Sequence, residues 1–591
     1  MGESEDSRLR AELERLRIDY ANLLDVLTAE RAHAEAHVAL LTGDPYPRWI
    51  ARHTVRPAEL ERRRRIALAL PYRPVFSLLM DTAGAAHDEL RAALAALATQ
   101  AYDAWQLCAT VLANDSATRA LLEEYAAADP RVVPVVVEAA GPATALAAAL
   151  SRATGEFAGV VDADGLLPAH ALAEFALELN LHPDADVLYG DSDSIDRNDY
   201  RHDPHFKPAW SPDTLLSRDY IGRLALMRRS LMEAAGGFRI YFEGSHEWDL
   251  LLRVTERTDR VLRVPDVLYH VRSPRAPEAA MDVAMLTTTI ARRGEPGTVE
   301  ATAHPGTYAV RYALREPARA TLIVPTRDAA ADVDTCLRSV FSRSTYRDFD
   351  VLLVDNGSTD PGALALFERW SREEPRVRVV RDDSPFNFSR LNNAAAKLTG
   401  ADYLIFLNND TEVIAPDWME RLLEQAQRPS IGAAGALLLY PDDTVQHGGV
   451  VIGLGGCADH SHKHFRSGDP GYFGALAGVT NYSAVTAACL AIRRELFEAV
   501  GGFDEQFAVA YNDVDLCLRL LASGKRNVFV PGARLYHFES KSRGVDVDGS
   551  RAKRFRDEMR LLQERWRIGV IDDPYYNPNL TLAKENFAID A

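Results

Sequence analysis

The side chains best suited to chemistry stand in short polar clusters, each directly after an apolar run. Pro325-Thr326-Arg327 follows Ala320-Thr321-Leu322-Ile323-Val324. Asp355-Asn356-Gly357-Ser358-Thr359-Asp360 follows Asp350-Val351-Leu352-Leu353-Val354, and Asn408-Asn409-Asp410 follows Tyr403-Leu404-Ile405-Phe406-Leu407. Oxygen-bearing side chains of this kind suit a hard divalent cation. Tyr511-Asn512-Asp513-Val514-Asp515-Leu516 adds carboxylates able to take a proton, the work of a general base, and Leu535-Tyr536-His537 adds a histidine. Any one cluster reads as a turn, because Asn-Gly and Asp-Gly steps form turns readily. Three clusters at three predicted strand ends of one domain make a site.

Much of this pattern occurs twice. Arg228-Arg229-Ser230-Leu231-Met232-Glu233-Ala234-Ala235-Gly236-Gly237-Phe238 returns as Arg493-Arg494-Glu495-Leu496-Phe497-Glu498-Ala499-Val500-Gly501-Gly502-Phe503. Leu268-Tyr269-His270 returns as Leu535-Tyr536-His537, and between the markers Glu247-Trp248-Asp249-Leu250 answers Asp513-Val514-Asp515-Leu516. The markers keep nearly the same spacing in both copies, so a whole domain is duplicated.

The elements that must position these residues alternate between strands and helices. The first copy predicts a strand at Val75–Met80, a helix through Leu90–Leu97, a strand at Trp105–Leu112, a helix over Thr118–Ala127 and a strand at Val132–Val137. Gly159-Val160-Val161 then leads into Asp162-Ala163-Asp164. Such alternation implies a mainly parallel sheet covered on both faces, with ligands at the carboxyl ends of its strands. The expected architecture is α/β: a domain over 73–275, a connector over 276–317 with a strand near Tyr308–Leu314, and a second domain over 318–591. Leu9, Leu13, Leu16, Tyr20, Leu23 and Leu27 form a short heptad seam, so residues 5–31 within an N-terminal segment 1–45 predict a coiled coil or a docked amphipathic helix. The proline-rich stretch 46–72 reads as a connector.

Bulk properties bound the function. A chain of 591 residues, 47% hydrophobic and 26% charged, is an ordinary globular composition spread over several domains. A formal charge of −18 argues against broad nucleic-acid binding. The run Arg62 to Arg65 is either a solvated segment end or a contact for anionic lipid. No apolar stretch approaches the ~20 residues that span a bilayer, and Met1-Gly2-Glu3-Ser4 opens no signal peptide. The scattered cysteines Cys108, Cys336, Cys457, Cys489 and Cys517 form no zinc spacing. The expected location is the cytoplasm, with peripheral contact to the inner face of the plasma membrane an open option. Self-association through the N-terminal helix is a second one.

These residues resemble the inverting, nucleotide-sugar-dependent glycosyltransferases of the family-2 type with the GT-A fold. The likeness is closest to the tandem-domain bacterial enzymes of O-antigen, rhamnan and other surface-polysaccharide assembly, and it covers nearly all of 318–591. It implies two tandem GT-A domains, a UDP- or dTDP-linked sugar donor, a glycan or lipid-linked glycan acceptor, and a divalent metal, Mg²⁺ or Mn²⁺. It implies that Asp355 accepts from the imide N–H of the base, with Pro325, Thr326, Arg327, Asn356, Arg390 and Asn409 around the nucleotide. Asp410 takes the last position of the family's acidic metal motif, here Asn-Asn-Asp, and His537 completes the metal site. Lys541 and Arg543 clamp the diphosphate. Asp513 is the general base, with Asn512 beside it, while Asp515 orients the following helix. Gln446-His447-Gly448-Gly449 and Asn481 to Thr486 face the acceptor. Asp459, His460, His462 and His464 alternate as a polar loop does.

The same likeness gives the first copy Asp162, Asp164 and His270 as metal ligands and Glu247 at the base position. Tyr189-Gly190-Asp191-Ser192-Asp193 adds acid near the acceptor. Its opening strand ends in Met80-Asp81-Thr82, and Thr110-Val111-Leu112-Ala113-Asn114 lacks the base-binding aspartate. Ala139 to Ala145 has little of the polarity of Asn387 to Asn393. This copy is either a non-catalytic scaffold or a holder of a different donor. Three readings follow: catalysis mainly in the C-terminal domain, a bifunctional enzyme with two linkages, or a glycan-binding scaffold without turnover. A nucleotidyltransferase is disfavoured, since no glycine-rich phosphate loop with a lysine follows the first strand.

Overall fold

The computed structural model describes residues 43–138, 141–274, 276–315, 318–538 and 549–591. The predicted N-terminal coiled coil and the pair Lys541 and Arg543 lie outside the described residues. The chain divides into two compact units. The first takes the described residues up to Lys207, together with Ile221–Met281 and Ile589–Ala591, and the second takes Pro208–Tyr220 and Asp282–Ala588.

The first unit is built on β1 (Phe76–Asp81), β2 (Trp105–Leu112), β3 (Val132–Val137), β4 (Phe157–Val160), β5 (Val187–Ile195), β6 (Arg201–His205), β7 (Leu226–Arg228) and β8 (Val261–Val271). Every residue of β1 up to Met80 is buried, as a strand covered on both faces requires. The helix His87–Ala98 covers it with Leu90, Ala93, Leu94 and Leu97, a stripe at helical spacing. The sheet order is β3-β2-β1-β4-β7-β5-β6, and β8 pairs with β5. Strands β1 to β4 run parallel, β7 enters antiparallel, and β8 runs parallel to β5.

The second unit opens with a two-stranded sheet, β9 (Gly297–Ala301) and β10 (Tyr308–Tyr312). Its main sheet holds β11 (Ala320–Thr326), β12 (Phe349–Asp355), β13 (Val377–Arg381), β14 (Tyr403–Leu407) and β15 (Thr411–Val413). It continues with β16 (Ile431–Leu439), β17 (Val445–His447), β20 (Thr480–Tyr482), β21 (Cys489–Arg493) and β22 (Arg526–His537), while β18 (Val450–Ile452) and β19 (Ala458–His460) form a separate ribbon. The order β13-β12-β11-β14-β21-β16-β22 repeats β3-β2-β1-β4-β7-β5-β8. Both units are therefore mixed α/β sheets of one topology.

The repeated Gly-Gly-Phe motif is a packing device. In the first unit Asp249 is fully buried and accepts from Arg253 Nη2 at 2.7 Å, and the same guanidinium donates to the carbonyls of Ala235 and Gly237. In the second unit Asp515 accepts from Arg519 Nε at 2.8 Å, and Arg519 donates to Val500 O and Gly502 O at 2.7 Å each. The carbonyls can face one guanidinium because Gly236 and Gly237, like Gly501 and Gly502, take positive φ values. Asp515 also receives Arg565 Nη1 and Trp566 Nε1, at 2.8 Å and 3.0 Å.

Two segments differ from the sequence reading. The stretch 46–72 holds two helices, Tyr46–His53 and Pro57–Leu68. Pro47 and Pro57 sit in the first turns, where a missing N–H breaks no helical bond. The stretch 276–317 holds the helix Ala279–Arg292 besides β9 and β10. The short helix Pro212–Ser217 belongs to the second unit. Its Asp213 is buried and accepts from Arg428 Nη1 at 2.7 Å, Arg526 Nε at 2.7 Å and Asn481 Nδ2 at 2.9 Å. Burial opposes ionisation of Asp213, but the Arg526 and Arg428 guanidiniums hold its carboxyl well below the usual carboxylate range. Among the described residues no helix is long and apolar enough to cross a membrane.

Candidate functional site

In the second unit three strand ends are stitched together through Thr326. Its hydroxyl accepts from Asn409 Nδ2 at 2.9 Å, and its carbonyl accepts from Asn356 N at 2.9 Å. The ends of β11, β12 and β14 thus carry Pro325-Thr326, Asp355-Asn356 and Asn408-Asn409-Asp410 side by side, as parallel neighbours must. Asp355 is buried. Its Oδ1 accepts from Ser358 N at 2.9 Å and its Oδ2 from Arg381 Nη1 at 2.8 Å. An ionised carboxylate has about four acceptor positions, so Asp355 keeps capacity for a ligand donor. Asn356 Nδ2 donates to the carbonyls of Asp382 and Ser384 and holds that loop over the site. Arg390 ties down the same loop through Asp382 Oδ2 at 2.8 Å. Hydrogen bonds from Ser384 and then Arg390 push the Asp382 carboxyl down to about 2. Arg327 is largely exposed at the loop edge.

Asp410 and His537 meet directly. His537 Nδ1 lies 2.6 Å from Gln446 Oε1, an acceptor only, and donates to it. Nε2 lies 3.1 Å from Asn408 Nδ2 and 3.2 Å from Asp410 Oδ1. Two ligand atoms at this separation can share one cation, a proton or a metal ion. Ligand atoms about 2.1 Å from an octahedral ion stand about 3 Å apart, so the spacing suits Mg²⁺ or Mn²⁺. Among the described residues no three His, Cys, Asp or Glu side chains gather as a ligand set. The protein supplies two positions here, which fits an ion that keeps waters and takes substrate phosphates as its remaining ligands.

Asp513 opens the helix Asn512–Ala522 and is partly accessible. Its Oδ2 accepts from Ala487 N at 2.9 Å and its Oδ1 from Val514 N at 2.8 Å. The adjacent Ala488 O accepts from Asn408 N at 3.0 Å, so residues 487–488 join the candidate base to the Asn408-Asn409-Asp410 end. Tyr511, just before, takes φ 61°, a left-handed conformation costly for a side chain with a Cβ. Strain of this kind fixes the direction in which the following residues leave the loop.

The expected acceptor residues divide. Asn512 is buried and donates to Val509 O at 3.1 Å. His447 is fully buried, with Nδ1 2.8 Å from Ala436 O and Nε2 accepting from Thr486 N at 3.2 Å. Both its nitrogens are committed to the backbone, and burial drives its pKa far down. Gly448 is packed so closely that a Cβ there would meet Leu476 at 2.6 Å. Asn481 caps the helix Pro212–Ser217, accepting from Asp213 N at 3.0 Å. His462 accepts from Tyr472 N at 3.0 Å, and burial lowers it to about 3. His464 stacks on Tyr440 and His460 bonds Gln446 O at 3.0 Å. The sequence reading expected Gln446 at the acceptor, whereas it supports His537, and it missed Arg381, which pairs Asp355.

The first unit places its matching residues in two separate groups. Asp162, Asp164, Arg223 and Glu247 line a cleft of about 740 Å³. Arg223 Nε is 2.9 Å from Asp162 Oδ2, and Arg223 Nη1 pairs with Glu247 Oε1. Tyr269 Oη donates to the same Asp162 oxygen at 3.1 Å and accepts from Asp162 N at 2.7 Å. His270 lines another cavity, of about 170 Å³, with Trp49, His53 and Arg201. Its Nδ1 is bound by Asp193, which Tyr46 Oη at 2.6 Å and Arg201 also hold. The expected trio Asp162, Asp164 and His270 is therefore not brought together. The strand-end position that carries Asp355 in the second unit is taken by buried Val111, the residue after the Asp81 partner Thr110.

Comparison with known proteins follows the duplication. The family model described as glycosyl transferase family 2 matches residues 79–246 and again 321–501. The O-antigen biosynthesis protein RfbC of Myxococcus xanthus is 37% identical over 91% of this chain and 42% of its own length. An uncharacterized protein of Sinorhizobium fredii is 39% identical over 83% of this chain and 56% of its own length. The chain thus spans about half the length of these two relatives. An N-acetylglucosaminyl-diphospho-decaprenol L-rhamnosyltransferase of Mycobacterium tuberculosis is 30% identical over 38% of this chain and 80% of its own length. Among solved structures, a mannosyltransferase from Pyrobaculum calidifontis in complex with GDP-Man and Mn²⁺ is 20% identical, with a TM-score of 0.32 over 45% of this chain and 69% of that one.

Proposed function

The chain belongs to glycosyl transferase family 2, and on that premise we propose that its second unit, a GT-A domain, transfers a sugar with inversion from a nucleoside-diphosphate donor to a growing surface glycan. The donor is UDP- or dTDP-linked, and the acceptor is a glycan or lipid-linked glycan met in the cytoplasm at the inner face of the membrane. Asp355 accepts from the base, with Pro325, Thr326, Arg327, Asn356 and Asn409 around it. Arg390 shapes this pocket by holding the Asp382 loop. Lys541 and Arg543 clamp the diphosphate, and Asn512, His447 and Gly448 shape the acceptor side from within.

Asp410 and His537 Nε2 would hold a divalent ion, which as a Lewis acid offsets the charge that develops on the departing diphosphate. Gln446 holds the imidazole ring and aims Nε2 at Asp410. Asp513 takes the proton from the acceptor hydroxyl as that oxygen attacks the anomeric carbon, and the Ala487 amide holds the carboxylate in place.

The observation that carries this reading is the approach of Asp410 Oδ1 to His537 Nε2 at 3.2 Å, beside the backbone segment that also anchors Asp513. Purified protein is expected to transfer or hydrolyse a nucleotide sugar. Asp513→Asn is expected to lower transfer by about 10²–10⁴-fold while leaving Mn²⁺ affinity intact, and Asp410→Asn is expected to lose both. Undiminished transfer by a folded Asp513→Asn protein would sink the assignment.

A further inference from the structure

The residues matching a metal site in the first unit do not fit a metal. Arg223 already touches Asp162, an expected ligand, through Oδ2 at 2.9 Å, and Glu247 at the base position through Oε1. We propose that Arg223 is the permanent cation of the first unit: its guanidinium stands where a divalent ion would bridge Asp162 to the reacting centre, so this cleft takes neither a divalent metal nor a metal-dependent diphosphate donor.

Four observations converge on this. Asp162 Oδ2 carries the Tyr269 hydroxyl as well as Arg223, so the oxygen is doubly engaged. A divalent ion placed beside a buried guanidinium meets like-charge repulsion in a site that screens it poorly. His270 is turned to Asp193 and lines a different cavity from Asp162. The two copies also differ at the residue concerned. Counting back from the shared Arg-Arg pair, Gly222-Arg223 occupies the place of Ala487-Ala488. In the second unit the base-position carboxylate of Asp513 is held by a backbone amide from that segment, while in the first unit Glu247 is held by the side-chain cation. Arg223 in the place of Ala488 is thus the difference in the repeat that gives the first unit's cleft its own positive charge. The guanidinium supplies one fixed charge and cannot be exchanged.

The test counts Mn²⁺ ions bound per full-length chain by electron paramagnetic resonance, at a concentration that saturates the wild-type protein. Wild type and Asp162→Asn are expected to bind the same number. Arg223→Ala, which restores the residue type of the second copy, is expected to bind one more, and adding Asp162→Asn to it is expected to remove that ion. Loss of an ion from wild type on Asp162→Asn overturns the proposal, and so does a folded Arg223→Ala protein that gains none. If Arg223→Ala does not fold, Arg223→Ala/Glu247→Ala removes both members of the pair and is read the same way. Asp410→Asn reports separately on the second unit, so failure of its metal assignment leaves the count gained on Arg223→Ala interpretable.

Discussion

The two units share a scaffold and differ at the strand ends. Both run the same strand order, and both fix a Gly-Gly turn by an arginine that a buried aspartate orients. At the ends of the strands the second unit keeps Asp355, Asp410, His537 and a carboxylate hung on a backbone amide. The first unit has Val111, an acid pair bridged by Arg223, and a histidine bound to Asp193. Residues that the fold needs recur almost letter for letter, whereas residues that chemistry needs recur only where the chemistry does. A motif found in both copies is therefore better evidence of packing than of catalysis, and a motif found in one copy is the place to look for the reaction.

The strongest challenge to this contrast is aimed at the shared part. Asp249→Ala strips the carboxylate from buried Arg253 and Asp515→Ala from half-buried Arg519, and each is expected to cost about 3–5 kcal/mol in denaturant unfolding. A large loss in one unit and none in the other would show that the two clamps are not equivalent. The next challenge is aimed at the divergent part. Gln446→Leu removes the acceptor that fixes His537, and a lost supporting partner typically lowers metal affinity about 10–100-fold. Asp193→Leu, the matching change beside His270, is expected to leave Mn²⁺ affinity unchanged in the same calorimetric titration, provided the protein folds.

The last contrast concerns acid. In the second unit burial pushes the pKa values of His447, His460 and His462 down. His270 is the counterpart in the first unit. Unfolded, each would take a proton near pH 6.5. Their contribution to stability is thus complete above about pH 6.5 and declines as pH falls toward the depressed folded values, by about 1.4 kcal/mol per pH unit for each. Hydrogen exchange at about pH 7 and about pH 5 is expected to show the second unit loosening more than the first. Equal loosening would remove this difference between the units.

Much of this was legible in the sequence. β2, β3 and β14 are continuous apolar runs bounded by turn residues, and their predicted limits coincide with the observed strands. The three polar ends of the second unit follow from those strands, because parallel neighbours place their carboxyl ends together. The helices Tyr46–His53 and Pro57–Leu68 were hidden by prolines, which read as breakers but serve equally as first-turn residues. His447 was expected to face the acceptor because a histidine beside glycines looks accessible, while its burial depends on Ala436 of the paired strand and the Thr486 backbone. Arg223 escaped notice although the repeat itself marked it, as an arginine where the other copy has alanine. A side chain's partner across the sheet is tertiary information, and only the aligned repeat carried a trace of it.

The helix Pro212–Ser217 has a consequence for how the protein is made. Its Asp213 is synthesised 313 positions ahead of Arg526 and 215 ahead of Arg428, the cations that neutralise it. At about 5–20 residues per second, the nascent chain holds this acid uncompensated for roughly 15–60 s until Arg526 is joined. The helix therefore cannot settle into its buried place before Arg428 and Arg526 have been made. A stretch made hundreds of residues earlier becomes one of the last parts of the second unit to fold, and it has nowhere to go until those arginines leave the ribosome.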